Sequence, residues 1–334
     1  MPDFNRFRRF ATLVLICTLA VIVWGGYVRA TGSGAGCGNH WPTCNGEIIP
    51  RSPGAETVVE FTHRATSGIA FLMVVAQWIW SLRLFPRRHE VRRATALVLV
   101  LMVVEALVGA GLVIFEMVAG NTEIARAYWM AAHLLNTFAL LGSMALVSER
   151  ATRAVDNQRA GALAATRSKG ASAALRGTTV ARLLDAGLAA IIVVAMTGAI
   201  VALGDTLFPS RSLAEGMAQD FSPTAHLFVR LRFVHPVAAA LTGLFLLVFS
   251  AWLAARDPEA LRIRRAASLV AGLVLAQVLI GVANLVLLAP TSLQLIHLLV
   301  ADLLWLGLLR LRFALHASAL ATVSTPAAAG LARA

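Results

Sequence analysis

Residues 60–82 read EFTHRATSGIAFLMVVAQWIWSL, an apolar run of bilayer-crossing length with a histidine, His63, set near its start. A membrane-spanning helix needs about 20 predominantly apolar residues. The stretch LRFVHPVAAALTGLFLLVFSAWLA, residues 231–254, places His235 in the same position 172 residues later (235 − 63). The register runs well beyond these histidines. Phe61 pairs with Phe233, Trp80 with Trp252, Pro86 with Pro258 and Gly109 with Gly281. Arg92-Arg93-Ala94 matches Arg264-Arg265-Ala266; upstream, Gly26 matches Gly198, Ala30 matches Ala202 and Gly32 matches Gly204. His133 and His297 complete the two sets at a spacing of 164, so the second copy is eight residues shorter before its last span. Self-similarity of this kind marks a duplicated unit.

Working outward, eight apolar stretches reach spanning length: 10–28, 60–82, 94–115, 125–148, 183–203, 231–254, 266–288 and 293–310. With 58% hydrophobic residues, the chain reads as an all-α integral membrane protein, not a soluble domain. The expected architecture is two tandem four-helix bundles of parallel orientation related by a pseudo-twofold axis. The expected limits are 1–150 for the first bundle, 151–179 for a cytoplasmic linker, 180–315 for the second bundle and 316–334 for a tail. Arg6, Arg8 and Arg9 before the first apolar run resemble a signal peptide. The run's length and the Trp24-Gly25-Gly26-Tyr27 that follows favour a retained anchor.

The net charge of +12 is explained by topology, not by nucleic acid. All but seven of the 29 Lys and Arg fall in segments on one side, if the N-terminus is cytoplasmic. The seven are Arg29, Arg51, Arg64, Arg126, Arg211, Arg230 and Arg232. This positive-inside bias predicts both termini in the cytoplasm and contact with anionic lipid. Cys37 and Cys44 share the first long loop, on the oxidising side, where a disulfide is favoured. A loop staple is the simpler role for the pair and a redox relay the sharper one.

An ionisable residue inside a membrane is costly and functional by default. One histidine on its own is as readily a hydrogen bond between helices. Four in matched register, all at the same end of their spans, point instead to ligands. Zinc and copper recruit three or four close ligands, and no third ligand repeats here. Two histidines facing each other across a helical bundle suit the axial positions of a haem. Arg29, Arg64, Arg126, Arg230 and Arg232 cluster at that end and are candidate partners for haem propionates, though such arginines also snorkel to the interface.

The copies differ in their acids. Glu60 precedes His63 by one helical turn, and its counterpart is Arg232; Glu105 has Gln277 as its counterpart. A desolvated carboxylate beside one histidine pair can serve as a base. Glu105 reads more simply as a hydrogen bond between helices.

Gly25-Gly26-Tyr27-Val28-Arg29-Ala30-Thr31-Gly32-Ser33-Gly34, with Cys37, Trp41-Pro42 and Cys44-Asn45-Gly46, resembles the first segment of the haem A synthase family. Glu60-Phe61-Thr62-His63-Arg64 and Ala132-His133-Leu134-Leu135-Asn136-Thr137 resemble that family's histidine motifs. The resemblance implies an oxidoreductase of the bacterial inner membrane that converts haem O to haem A, oxidising a ring methyl to a formyl group by successive hydroxylations. It implies that His63 and His133 ligate the substrate haem, that Glu60 is catalytic, and that His235 and His297 ligate a haem b cofactor. A haem O synthase (farnesyltransferase), terminal-oxidase assembly and an electron acceptor of unknown identity are the implied partners. Two departures stand out: residues 204–230 contain no cysteine, and His235 is followed by Pro236. The competing readings are a di-haem electron carrier of the cytochrome b type and a haem transporter or chaperone.

Overall fold

A computed structural model describes residues 3–162, 178–256 and 260–323. They form ten α-helices and one 3-10 turn, with no strand among the described residues. The helices are α1 (Phe4–Ala30), α2 (Ala55–Leu84), α3 (Glu90–Ile114), α4 (Ile124–Ala162) and α5 (Thr178–Leu207). After these come the short α6 (Leu213–Asp220) and α7 (Leu227–Arg230), then α8 (Val234–Arg256), α9 (Leu261–Val286) and α10 (Thr291–Val323). Eight spans among the described residues are long and apolar enough to cross a membrane, with α7 and α8 counting as one.

The repeat is visible in the helix ends. α3 stops at Ile114 and α9 at Val286, 172 residues apart. Glu116 and Leu288, also matched, both adopt positive φ as the chain leaves its helix. Five of the eight missing residues lie in the next connection, where 115–123 contracts to 287–290. The other three are lost at the start of the following helix, where His133 is the tenth residue of α4 and His297 the seventh of α10.

Two expectations need correction. The sixth span begins at Leu227, not 231, and is broken over 231–233 before it resumes at Val234. Pro236 accounts for the break, since its ring clashes with the carbonyl four residues earlier and it lacks the N–H of a helical residue. The fourth span runs on to Ala162, twelve residues into the segment expected to be linker (162 − 150). Ala151 and Val155 are buried there, and Arg153 pairs with Glu149 one turn back at 3.0 Å. The rest of the expected linker, 163–177, and the tail beyond 323 lie outside the described residues.

α1 packs on α2 and α4, and α3 packs between α2 and α4; α5 packs on α8, α8 on α9, and α9 on α10. The two groups meet along α1, α4, α5 and α10. At that seam Trp305 stacks on Phe138 with ring centroids 5.1 Å apart, and its indole N–H donates to the Phe138 carbonyl at 2.9 Å. Apolar side chains from all four helices surround this contact. Segments 31–54 and 208–226 lie at one end of the molecule, the long-loop end.

Candidate functional site

All four histidines sit close to the long-loop end. His63 is the ninth residue of α2, His133 the tenth of α4 and His297 the seventh of α10. His235 is the second residue of α8 and the ninth of its span, counted from Leu227.

Each histidine lies against a glycine on the preceding spanning helix. A Cβ on Gly25 would come within 2.9 Å of His63 Cε1, and one on Gly198 within 2.9 Å of His235 Cε1. A Cβ on Gly109 would meet His133 Cε1 at 3.9 Å, and one on Gly281 would meet His297 Cε1 at 3.2 Å. Gly109 and Gly281 are repeat partners; Gly26, matched to Gly198 by sequence, instead faces Leu298 of α10. The glycine at His63 is therefore one residue off the repeat register.

His235 and His297 face each other with ring centroids 6.5 Å apart and planes at 87°. Metal–imidazole bonds are roughly 2 Å long, so two rings flanking one metal ion stand roughly 6 Å apart between centroids. His235 Nδ1 donates to the Val194 carbonyl at 3.0 Å, which leaves Nε2 as the free lone pair. His63 and His133 lie within electrostatic range of each other. Their Nδ1 atoms, and that of His297, are buried without a hydrogen-bond partner. Among the described residues no three His, Cys, Asp or Glu converge as a metal site. The facing His235 and His297 rings fit the axial ligation of a haem through Nε2, with the Gln277 amide giving up its bond to His297 Nε2. His63 and His133, each packed on a glycine, form the matching set.

The acids beside the two pairs differ. Glu105 Oε1 is 3.6 Å from His133 Nδ1, an electrostatic contact longer than a hydrogen bond. Asn136 and Thr137 of α4 both donate to the same carboxylate, as the reading of Glu105 as a link between helices expects. In the second copy the Gln277 amide donates to His297 Nε2 at 3.2 Å.

Glu60 is buried, and its carboxylate is fully engaged. Oε2 accepts the Cys37 N–H at 2.8 Å; Oε1 accepts Arg64 Nε at 3.0 Å and also Nη2. Arg64 Nη1 donates to the His40 and Thr43 carbonyls, both at 2.6 Å. Glu60 and Arg64 thus clamp the loop that contains the Cys37–Cys44 disulfide onto α2. Arg232, the counterpart of Glu60, clamps the other long segment with reversed charge. Its Nε pairs with Asp205 at 3.0 Å and its Nη2 donates to the Gly204 and Phe208 carbonyls. The guanidinium groups of Arg29 and Arg126 bond only neutral acceptors, and Arg230 is exposed with no side-chain bond among the described residues.

Asp302 escaped the sequence reading. It is fully buried on α10, and neither carboxylate oxygen has a partner. Its counterpart at the spacing of 164 is Phe138, so the repeat gave no signal there.

Eight apolar spans with paired histidines within them define an all-helical, multi-pass membrane protein. Residues 8–309 match the COX15-CtaA family, described as cytochrome oxidase assembly protein, and the chain belongs to that family. A protohaem IX farnesyltransferase of Thermus thermophilus is 44% identical over 306 residues, 91% of this chain and 48% of that protein. A haem A synthase of Exiguobacterium sibiricum is 33% identical over 141 residues, 42% of this chain and 46% of that protein. One of Halalkalibacterium halodurans is 35% identical over 136 residues, 41% and 45% respectively. The chain spans about half the length of the curated relatives it matches.

Proposed function

We propose that the chain is a haem A synthase of the bacterial inner membrane, both termini cytoplasmic, with a reacting bundle followed by an electron-carrying one. The unlike neighbours of the two histidine pairs carry this reading: a carboxylate, Glu105, beside His133 and a neutral amide, Gln277, on His297. In this proposal His63 and His133 hold the substrate, haem O, and His235 and His297 hold haem b. When bound, haem b supplies an outlet for single electrons.

The protein's own groups give that outlet a direction. A carboxylate near a ligand imidazole makes the ligand more basic and favours the oxidised metal. Glu105 would therefore make an iron held by His133 harder to reduce than one held beside Gln277, so the first site would be the electron donor and the second the acceptor. Glu60, one turn from His63, is proposed as the base that takes the protons released when water supplies the oxygen for each hydroxylation and two electrons leave. Arg64 or the Cys37 N–H then yields one of the Glu60 oxygens to the proton. Arg64 and the Cys37 N–H hold it oriented under the disulfide-bearing loop, which excludes bulk water.

The Thermus relative supports a partner. A protein named for farnesylating protohaem contains, in under half its length, sequence 44% identical to this chain. We take the enzyme that supplies the farnesylated haem to be this chain's neighbour in the membrane, upstream of terminal-oxidase assembly.

The test is co-expression with a haem O synthase, followed by extraction and chromatographic separation of the haems. Haem A or its hydroxylated precursor is the expected product. A folded, haem-loaded preparation with neither would overturn the enzyme reading and leave a di-haem electron carrier.

A further inference from the structure

The five arginines at the long-loop end differ sharply in what engages them. Arg64 gives two donors to Glu60 and two bonds to loop carbonyls. Arg232 is paired with Asp205 and lies 3.7 Å from Asp220. Arg230 is exposed. Only Arg29 and Arg126 are drawn into the protein with no carboxylate partner among the described residues.

Arg29 leaves α1 and reaches across the seam. Its Nη1 donates to the Ala202 carbonyl at 2.9 Å and to Thr206 Oγ1 at 3.1 Å; its Nη2 donates to Gln294 Oε1 at 2.8 Å. Ala202 and Thr206 lie one and two turns beyond Gly198, which seats His235, and Gln294 lies three residues before His297. An arginine of the first four spans thus closes over the histidine pair of the last four. Guanidinium has five N–H donors, so one on Nε and one on Nη2 are left over.

Arg126 sits seven residues before His133, on the same face of α4 and about 10 Å nearer the long-loop end. Its Nη1 donates to the Ala119 and Asn121 carbonyls at 2.6 and 2.8 Å. Its Nε is buried with no partner, and no bond uses its Nη2. That Nε–Nη2 edge is the fork that grips a carboxylate with two parallel bonds. Arg29 and Arg126 act on each other electrostatically; Asp205 also acts on Arg29 but is ion-paired to Arg232. Two neighbouring cations in a low-dielectric setting, each lacking an acid, are costly unless an anion joins them.

We propose that Arg29 and Arg126 are the propionate clamps of the two haem sites, Arg29 serving the His235–His297 site from the opposite half of the chain and Arg126 serving the His63–His133 site. This rests on the haem reading above and reduces five candidate arginines to two. It also makes the second site incomplete without the first four spans.

The experiment uses the full-length protein in detergent, loaded with protohaem or with its dimethyl ester, which has no free carboxylate. Haem release to excess apomyoglobin and the midpoint potential of the second-site haem are measured for wild type and Arg29→Gln. With protohaem, Arg29→Gln is expected to release haem at least tenfold faster and to lower the potential, since a positive charge near the iron favours the reduced form. With the ester, wild type should release as fast as the variant, and the substitution should add nothing. Equal release of protohaem by wild type and variant would overturn the proposal. So would an Arg29→Gln effect that persists with the ester, which would mean that Arg29 braces the seam or holds a lipid phosphate. Arg126→Gln repeats the test at the first site without touching the seam, should Arg29→Gln not fold. Failure of wild type to bind haem with a bis-histidine spectrum would sink the haem reading itself, a separate outcome.

Discussion

Glu105 Oε1 lies 3.6 Å from His133 Nδ1, while its repeat partner Gln277 donates to His297 Nε2 at 3.2 Å. Two copies of one scaffold thus present the same ligand to different electrostatic neighbours. Glu105→Gln removes the negative charge beside His133 Nδ1, although the Gln277 contact it imitates is made to the other ring nitrogen of His297. The first-site haem potential should rise, and affinity should fall by about 10- to 100-fold, the usual cost of losing an outer-shell partner. Redox titration of the loaded protein decides this; an unchanged first-site potential would remove Glu105 from the electron-transfer argument.

Glu60→Gln replaces an ionised acceptor with an amide whose NH₂ faces the donors of Arg64. Breaking a buried ion pair costs about 3–5 kcal/mol, so the melting temperature should drop. Haem should remain bound while haem O accumulates in co-expressing cells. Normal haem A formation in this variant would show that Glu60 is only a loop clamp.

Gly25→Ala and Gly198→Ala each push a methyl to 2.9 Å from a histidine ring. Overpacking of this kind costs about 1–3 kcal/mol, and it displaces the ligand itself. Each variant should lose the haem of its own site, as read by haem stoichiometry. Gly68→Ala, with nothing within 4 Å of its added Cβ, is the control and should bind both haems.

Asp302 has no partner in the seam region. An unsatisfied buried polar group costs about 1–3 kcal/mol, and more if charged, so Asp302→Leu should raise the melting temperature. A lower one would assign the carboxyl a stabilising partner.

His89 accepts the Val91 N–H at 3.2 Å, capping α3, and stacks on Phe85 at 4.6 Å. Desolvation lowers its pKa, against an opposing pull from Glu90. A histidine whose folded pKa is depressed stabilises fully above its unfolded pKa, about 6.5, and that stability is lost as pH falls through the folded value. The α2–α3 connection should therefore exchange amide protons faster, relative to the remaining spans, as pH is lowered from 7 to 5. His89→Ala should remove the pH dependence at a cost of about 0.5–2 kcal/mol.

Much of this molecule was legible because a bilayer leaves few options. Backbone groups in hydrocarbon must bond within their own segment, so apolar length alone gave eight helices. The repeat, at 172 residues and then 164, gave the matched histidines, the long-loop end and the differing acids, since each is a property of position along one chain. Helix ends were less accurate: α4 gains a polar extension that apolar length does not register, and Pro236 breaks a span that hydropathy shows as whole.

Sequence by itself determined the span count, the duplication and which residues are candidates. Tertiary structure alone decided what those residues touch. Arg64 and Arg232 looked equivalent to Arg29 and Arg126 until packing supplied acids to the first two and only neutral acceptors to the others. Gly25 and Gly26 are adjacent letters, yet helix rotation turns one to His63 and the other to Leu298. The reason is physical: burial and charge compensation depend on which helices meet across the seam, and a repeat read along the chain contains no information about that.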